Sequence, residues 1–155
     1  MIKRHTGPAG HSPIASKDRI NHNKINRRIT MKEFKVYRCN KCKKLVIEVQ
    51  GSACPTMCCG DEMVLLTANT TDGAAEKHVP VVTVDGNRVI ANVGEVNHPM
   101  LAEHYIQFIA LETENGVQVK YLNPEEAPHA EFITEEPAKA VYEYCNLHGL
   151  WKTEL

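Results

Sequence analysis

The amino-acid sequence predicts an all-β protein in which a small cysteine-rich domain precedes an antiparallel β-sandwich. Three observations support this prediction. No stretch repeats apolar residues with a helical period over the length of a helix. Short alternating or apolar segments recur about every ten residues between turn-forming residues, which is typical of a sandwich. Four cysteines also lie in two close pairs within the first half of the chain.

Residues 1–30 differ from the rest of the chain in composition. They carry seven Lys and Arg against one Asp, so this segment has a net charge of +6 and the remainder has −7. With no apolar periodicity, the segment is predicted to be a disordered, solvated basic extension. An arm that binds nucleic acid is the alternative. A third hypothesis is that the segment is not translated, since Arg27-Arg28 could be encoded by AGG-AGG, a ribosome-binding sequence, followed by a short spacer and a start codon at Met31.

The small domain is predicted to span residues 31–66. Two short strands, at residues 34–36 and 45–49, flank the first cysteine pair. A tight turn at residues 55–60 holds the second pair, and a closing strand follows at residues 63–66. Residues 67–73 are polar enough to be a linker to the second domain.

The second domain is predicted at residues 74–155 and consists of strands and hairpins. Strands at residues 79–84 and 88–93 surround Asp85-Gly86-Asn87. Strands at residues 105–111 and 117–122 surround Asn115-Gly116, a strong hairpin signal. Further strands are predicted at residues 132–133 and 140–144. The chemically active residues then fall at strand ends and in loops, where functional residues are usually found.

Charge and composition exclude several classes of protein. The chain after residue 30 is acidic overall and lacks the clustered basic residues that phosphate contacts require, so no nucleic-acid partner is predicted. No apolar run reaches membrane-spanning length and no signal-peptide pattern is present, so we predict a cytoplasmic protein with no membrane partner. Six cysteines at spacings unlike those of disulfide-rich proteins then indicate metal binding.

The first predicted metal site is a group of four cysteines. Their thiolates can close tetrahedrally around zinc or iron. Two of them are adjacent in the chain, which should distort a tetrahedron because consecutive side chains diverge. A structural zinc knuckle remains an alternative, and Cys54 is a spare thiol. The four candidate ligands are Cys39, Cys42, Cys58 and Cys59.

The second predicted site combines four histidines with one cysteine, while His129 stands apart. Imidazoles with a single thiolate suit a redox-active transition metal such as iron. Four imidazoles leave two axial positions, of which the thiolate fills one and the other stays open for a small substrate. One thiolate on Fe²⁺ leaves about one positive charge, which attracts small anions. The five candidate ligands are His78, His98, His104, Cys145 and His148.

Together these motifs resemble those of the desulfoferrodoxins, the two-iron superoxide reductases, across residues 31–155. The resemblance implies a desulforedoxin-like iron domain followed by an immunoglobulin-like, neelaredoxin-like sandwich. It implies two irons per chain, with the four histidines equatorial and Cys145 axial on the catalytic iron. The segments that carry it are Val36-Tyr37 with Cys39 and Cys42, Cys58-Cys59-Gly60 with Met63, Glu76-Lys77-His78-Val79-Pro80, His98-Pro99-Met100, His104-Tyr105-Ile106 and Cys145-Asn146-Leu147-His148-Gly149-Leu150-Trp151.

The resemblance also implies an activity. Superoxide would take one electron and two protons and leave as hydrogen peroxide. Two catalytic residues would lie beside the open position, with Lys77 attracting the anion and Glu76 covering the iron after product leaves. A rubredoxin-type protein would return the electron, and the chain would form a homodimer. One departure is Lys43-Lys44, where the family commonly has Gly-Asn; a positive φ there would cost about 1 kcal/mol.

Two non-catalytic readings compete with this one. A zinc-binding interaction or nucleic-acid module would use the four cysteines and the basic extension, and it leaves the histidines unexplained. An electron carrier of rubredoxin type would need only one iron per chain. A superoxide dismutase would use similar ligands, although a donating thiolate favours giving an electron over taking one back.

Overall fold

The computed structural model describes residues 33–155. The extension predicted at residues 1–30 lies outside the described residues. All strand pairs are antiparallel, and the only helix among the described residues is a single turn, so the all-β prediction is confirmed. No helix in this part of the chain is long and apolar enough to cross a bilayer.

The described residues contain twelve strands and one short helix. In chain order they are β1 (Lys35–Arg38), β2 (Leu45–Glu48), β3 (Met57–Cys58), β4 (Asp61–Glu62), β5 (Val64–Leu65), α1 (Ala75–His78), β6 (Pro80–Asp85), β7 (Arg88–Val93), β8 (Ile106–Thr113), β9 (Val117–Tyr121), β10 (His129–Ile133), β11 (Ala138–Cys145) and β12 (Gly149–Glu154).

The first five strands build a small sheet and a separate hairpin. The sheet has the order β2-β1-β5, and the turn between β1 and β2 carries Cys39 and Cys42. Strands β3 and β4 pair with each other, with Cys59 and Gly60 in their turn. Hydrogen bonds from Cys39 N to Lys44 O (2.9 Å) and from Lys43 N to Cys39 O (3.0 Å) close the first turn.

Two larger sheets form the sandwich. One has the order β10-β7-β6 and the other β12-β11-β8-β9. Their facing sides enclose a core that includes Val93 of β7, Ile109 of β8, Phe132 of β10 and Val141 of β11, all almost without exposed surface. Because strand residues alternate between faces, each of these strands presents every second residue to this core.

The outer face of the four-stranded sheet is covered as well. Phe108 and Ala110 of β8 point away from the sandwich core and pack with Phe34 and Val36 from the small sheet. The middle strands β8 and β11 are therefore buried on both faces. This explains why residues 108–111 read as a continuous apolar run rather than an alternating one.

Four elements of the fold do not appear among the elements predicted from the sequence. Strands β3 and β4 lie within and just after the segment predicted only as a tight turn. α1 is four residues long and so too short to show a helical period. β12 pairs with β11 and extends the larger sheet. Beside β12, Asn69 N donates to Leu150 O (3.0 Å), and the Asn69 side chain bonds both backbone groups of Lys152. Residues of the predicted linker thus lie against the sandwich.

Candidate metal centres

The predicted histidine and cysteine ligands converge at one end of the sandwich. His78 is the last residue of α1, and Cys145 is the last residue of β11. His98 lies in the loop after β7, His104 lies before β8, and His148 lies in the turn that joins β11 to β12. One ligand atom from each of these five residues falls within 4.8 Å of the others.

The nitrogen separations are those of donors that share one ion. His78 Nε2 lies 2.9 Å from His148 Nδ1 and 3.2 Å from His98 Nε2, and His104 Nε2 lies 3.2 Å from His148 Nδ1. Nitrogens bound at right angles, each about 2.1 Å from an ion, lie about 3.0 Å apart, whereas a tetrahedron would separate them by about 3.4 Å. The imidazoles therefore match a square arrangement better than a tetrahedral one.

In two of these rings, a hydrogen bond from Nδ1 to a backbone carbonyl leaves Nε2 available to bind a cation. His78 Nδ1 donates to Ala74 O (2.8 Å), and His98 Nδ1 donates to Pro99 O (2.5 Å). A neutral imidazole that carries its proton on Nδ1 has a lone pair on Nε2. Two such lone pairs then face each other across 3.2 Å. A metal cation bound between two neutral rings makes this arrangement favourable, and metal-bound histidines are commonly oriented by such second bonds.

Burial keeps these imidazoles in the neutral form that binds metal ions. It lowers the pKa of His78 and His104 and lowers the pKa of His98 to about 4. The neighbouring histidines add to each of these shifts, because a second positive charge in the cluster would be repelled. At neutral pH the three rings are therefore uncharged and able to bind a metal ion.

Cys145 supplies the only sulfur of this group and has no exposed surface. Burial raises the pKa of its thiol, while the backbone N–H groups of His148 and Leu147 bond to the sulfur and lower it. The sulfur lies 3.5 Å from His148 Nδ1. Since burial disfavours a free thiolate, a bound cation is what would stabilise the charged form here.

Glu76 and Lys77 are exposed residues of α1, next to His78. The charge of Lys77 contributes to the lowered pKa of His104, after burial and His148, so it acts on that side of the cluster. The helix is held closely by the chain after β7. A Cβ at Gly94, where φ is +80°, would lie 2.7 Å from the carbonyl oxygen of Lys77, so this position requires glycine.

Glu143 is a buried acid that sequence reasoning missed. It has no exposed surface, and its carboxyl oxygens have no hydrogen-bond partner among the described residues. Burial raises its pKa well above the usual range, so the carboxyl group is neutral. The period of two along β11 was a usable signal, because it places Glu143 on the same face as Val141 and Cys145.

The four predicted cysteines form the second group, and their sulfurs fit a tetrahedron. Cys42 Sγ lies 3.6 Å from Cys58 Sγ, which lies 3.8 Å from Cys59 Sγ. Four sulfurs bound tetrahedrally at about 2.3 Å lie about 3.8 Å apart. The adjacent cysteines meet this distance because Cys59 adopts a left-handed conformation, with φ 52°. The group consists of Cys39, Cys42, Cys58 and Cys59.

Crowding of the thiols in this group resists their ionisation. The neighbouring thiols, Cys42 first among them, raise the pKa of Cys58 and raise that of Cys59 to about 12. The backbone N–H of Cys42 is the main reason that the pKa of Cys39 falls to about 6. One thiolate is thus favoured and further ones are not, so full ionisation of the group needs a metal ion to displace the protons.

Three residues singled out in the sequence, Lys43, Cys54 and His129, lie outside both metal groups. Lys43 has φ 64°, so the position where the family commonly has glycine does require the left-handed region. Cys54 is exposed, its backbone bonds the Ser52 hydroxyl, and it belongs to neither metal group of residues 33–155. His129 bonds Asn92 and is also outside both groups.

Comparison with known proteins places this chain in a family. The family model for desulfoferrodoxin matches residues 70–154. The desulfoferrodoxin of Nitratidesulfovibrio vulgaris is 39% identical over 122 residues, which cover 79% of this chain and 97% of that protein. The superoxide reductase of Thermococcus kodakarensis is 34% identical over 112 residues, covering 60% of this chain and 97% of that protein.

A solved structure agrees with these relatives. The crystal structure of the superoxide reductase from Treponema pallidum matches with a TM-score of 0.67 and 34% identity, covering 79% of this chain and 100% of that chain. The family carries two iron centres, and this chain has one group of ligands for each. On its sequence, its fold and its two ligand groups, the chain belongs to the desulfoferrodoxin family.

Proposed function

We propose that the chain is a superoxide reductase whose catalytic iron is held by His78, His98, His104, His148 and Cys145. One observation carries the proposal: four imidazole nitrogens at spacings typical of a shared ion adjoin a sulfur that is completely buried. The tetrathiolate group would hold the second iron. Relatives named superoxide reductase support the same activity.

The burial pattern determines how a substrate would reach this group. Bound iron would supply one electron to superoxide, which with two protons becomes hydrogen peroxide, and a thiolate ligand strengthens that donation. Cys145 lies in the sandwich core, whereas His104 and His148 are partly exposed. A small anion therefore approaches from the side of the imidazoles, away from the sulfur.

Glu76 and Lys77 are the residues of α1 that this proposal assigns to catalysis. Lys77 attracts the superoxide anion and orients the water that delivers protons, because its charge is close enough to affect His104. Glu76 is exposed beside His78 and covers the metal after the product leaves. The exposure of both side chains leaves them free to move over the group.

The proposal also includes a partner that returns the electron, a rubredoxin-type protein. Leu101 and Leu147 are more than half exposed and flank the partly exposed His104 and His148, which suits contact with a small electron carrier. We further propose a homodimer, supported by the exposed apolar residues of the edge strand β5. All six cysteines are free, which is in keeping with a cytoplasmic location.

The decisive experiment replaces the proposed sulfur ligand. We expect Cys145→Ser to lose the thiolate-to-iron absorption and most superoxide reduction, because serine does not provide a donating thiolate. Cys54→Ser is the matched control, since that thiol is exposed and outside both groups. Visible spectra, iron analysis and superoxide consumption would be measured for both variants.

Two outcomes would contradict the proposal. Undiminished catalysis by Cys145→Ser would refute the ligand assignment. A purified chain that carries zinc, or a single iron, and does not consume superoxide would instead favour an interaction module or an electron carrier.

A further inference from the structure

Trp151 contacts two of the proposed iron ligands at once. We propose that it is a positioning residue that sets the relative orientation of His78 and His148, and that the backbone of Gly73 holds it in place. This inference rests on the ligand assignment of the proposed function. Trp151 lies on β12, is almost fully buried, and carries the only indole in the chain.

The first contact is with the face of the His78 ring. The two rings are stacked, with centroids 5.0 Å apart and planes inclined by 21°. On its edge, the His78 ring donates from Nδ1 to Ala74 O. The backbone bond limits rotation within the ring plane, and the indole limits tilting out of it. The direction of His78 Nε2 is therefore restricted by two independent contacts.

The second contact is with the turn that carries His148. Trp151 Nε1 donates to His148 O at 3.1 Å. This bond ties the indole to the backbone of the ligand whose Nδ1 is nearest to His78 Nε2, at 2.9 Å. One side chain thus links the two closest donors of the group. The turn is also braced by Thr71, whose Oγ1 would be 2.9 Å from a Cβ at position 149.

Gly73 lies next to Trp151 and to both ligands that the indole contacts. A Cβ at this position would lie 3.0 Å from Trp151 Cζ2, 3.5 Å from His78 Cε1 and 3.5 Å from the Cβ of His148. The backbone of residue 73 therefore packs against the indole and both ligands together. Its φ is not in the left-handed region, so alanine suits the backbone there and only the space beside the indole opposes it.

Ordinary core packing does not account for these contacts. Phe34 and Tyr142, on the outer face of the same sheet, meet at a tilt of 58° with centroids 4.8 Å apart and touch no imidazole. Trp151 instead lies nearly parallel to a ligand ring and bonds the backbone of a second ligand. Residues that orient metal ligands typically change metal affinity about 10- to 100-fold when they are lost.

The test measures metal binding rather than turnover. Cobalt(II) binding would be measured against a competing chelator in the full chain, together with the part of the visible spectrum that Cys145→Ser abolishes. We expect Trp151→Leu to weaken binding at this group about 10- to 100-fold and to shift that absorption. Trp151→Phe keeps a ring over His78 but loses the N–H, so its effect should be intermediate. Phe34→Leu is the control for loss of a buried aromatic, with wild-type affinity expected.

Each result decides the question. If Trp151→Leu matches Phe34→Leu in affinity and spectrum, Trp151 is only a packing residue and the inference is wrong. If Trp151→Leu does not fold, Trp151→Phe and Gly73→Ala decide instead, and unshifted absorption in both would overturn the inference. A wild-type chain without a Cys145-dependent absorption would overturn the proposed function, and this inference with it.

Discussion

Lys77 is the residue whose proposed role depends most on charge alone. It is exposed, its side chain makes no hydrogen bond or ion pair among the described residues, and its charge acts on His104. We expect Lys77→Ala to slow the second-order reaction with superoxide by about tenfold, the lower end of electrostatic steering. The slope of the rate against ionic strength should also fall, because screening has less attraction to remove. Pulse radiolysis at several salt concentrations measures both.

A matched control for this prediction is Lys44→Ala, which removes an exposed lysine beside the cysteine group. It should leave the rate and its salt dependence near those of the wild type. Equal effects of the two variants would show that net charge, rather than the position of Lys77, governs the encounter.

A buried acid on β8, Glu112, links β11 to the residue that precedes β1, in addition to the apolar packing there. Glu112 accepts a hydrogen bond from Phe34 N at 3.3 Å and another from the Tyr142 hydroxyl at 2.9 Å. Burial, and then the hydrogen bond and charge of Glu112, raise the pKa of Tyr142 well above its usual range, so the phenol remains a donor throughout the accessible pH range. The acid thus connects the small sheet to the sandwich.

Removal of that phenol tests the connection. Tyr142→Phe leaves one oxygen of a buried Glu112 without its donor, so we expect the free energy of unfolding to fall by about 1–3 kcal/mol. Urea denaturation measures the loss. Tyr121→Phe is the control, because Tyr121 is largely exposed and should change stability by less than about 0.5 kcal/mol. A Tyr142→Phe variant as stable as the control would show that Glu112 finds another donor.

At the scale of the whole molecule, the described residues 33–155 contain two groups of candidate metal ligands with no residue in common. The cysteine group is built from the turns of the small sheet and hairpin, and the histidine group from the end of the sandwich. We expect Cys42→Ser to remove the tetrathiolate absorption and about half of the iron, while superoxide consumption stays at the wild-type rate. Effects at sites without shared partners are usually independent. Parallel loss of iron and of activity would show that the groups are coupled.

Much of this protein could be inferred from local sequence patterns. The hairpin at residues 85–88 and the one around Asn115-Gly116 were expected because turn residues and strand alternation are local properties. The two groups of candidate ligands were also recognisable, since imidazole and thiolate donors recur close together in short segments and each group had its own ligand chemistry.

Other features depend on residues that are far apart in the chain. α1 is one turn long, and its position is set by the close approach of Gly94 to Lys77 rather than by any repeat in its own residues. The period of two along β11 groups Glu143 with Val141 and Cys145, but only the packing of the two sheets shows that this face is the buried one. The apolar run in β8 is consistent with burial on both faces, but nothing in it identifies Phe34 and Val36 as the residues that cover the outer face.

The sequence by itself determined the class of fold and the chemical identity of both ligand groups, because strand alternation, turns and donor types are encoded residue by residue. Only the tertiary structure decided how the donors are oriented. The stack of Trp151 on His78 joins β12 to α1, the last and first elements of the sandwich domain, and nothing local specifies it. Orientation of a metal ligand is a property of the packing around it, so it emerges only when the sheets and loops have come together.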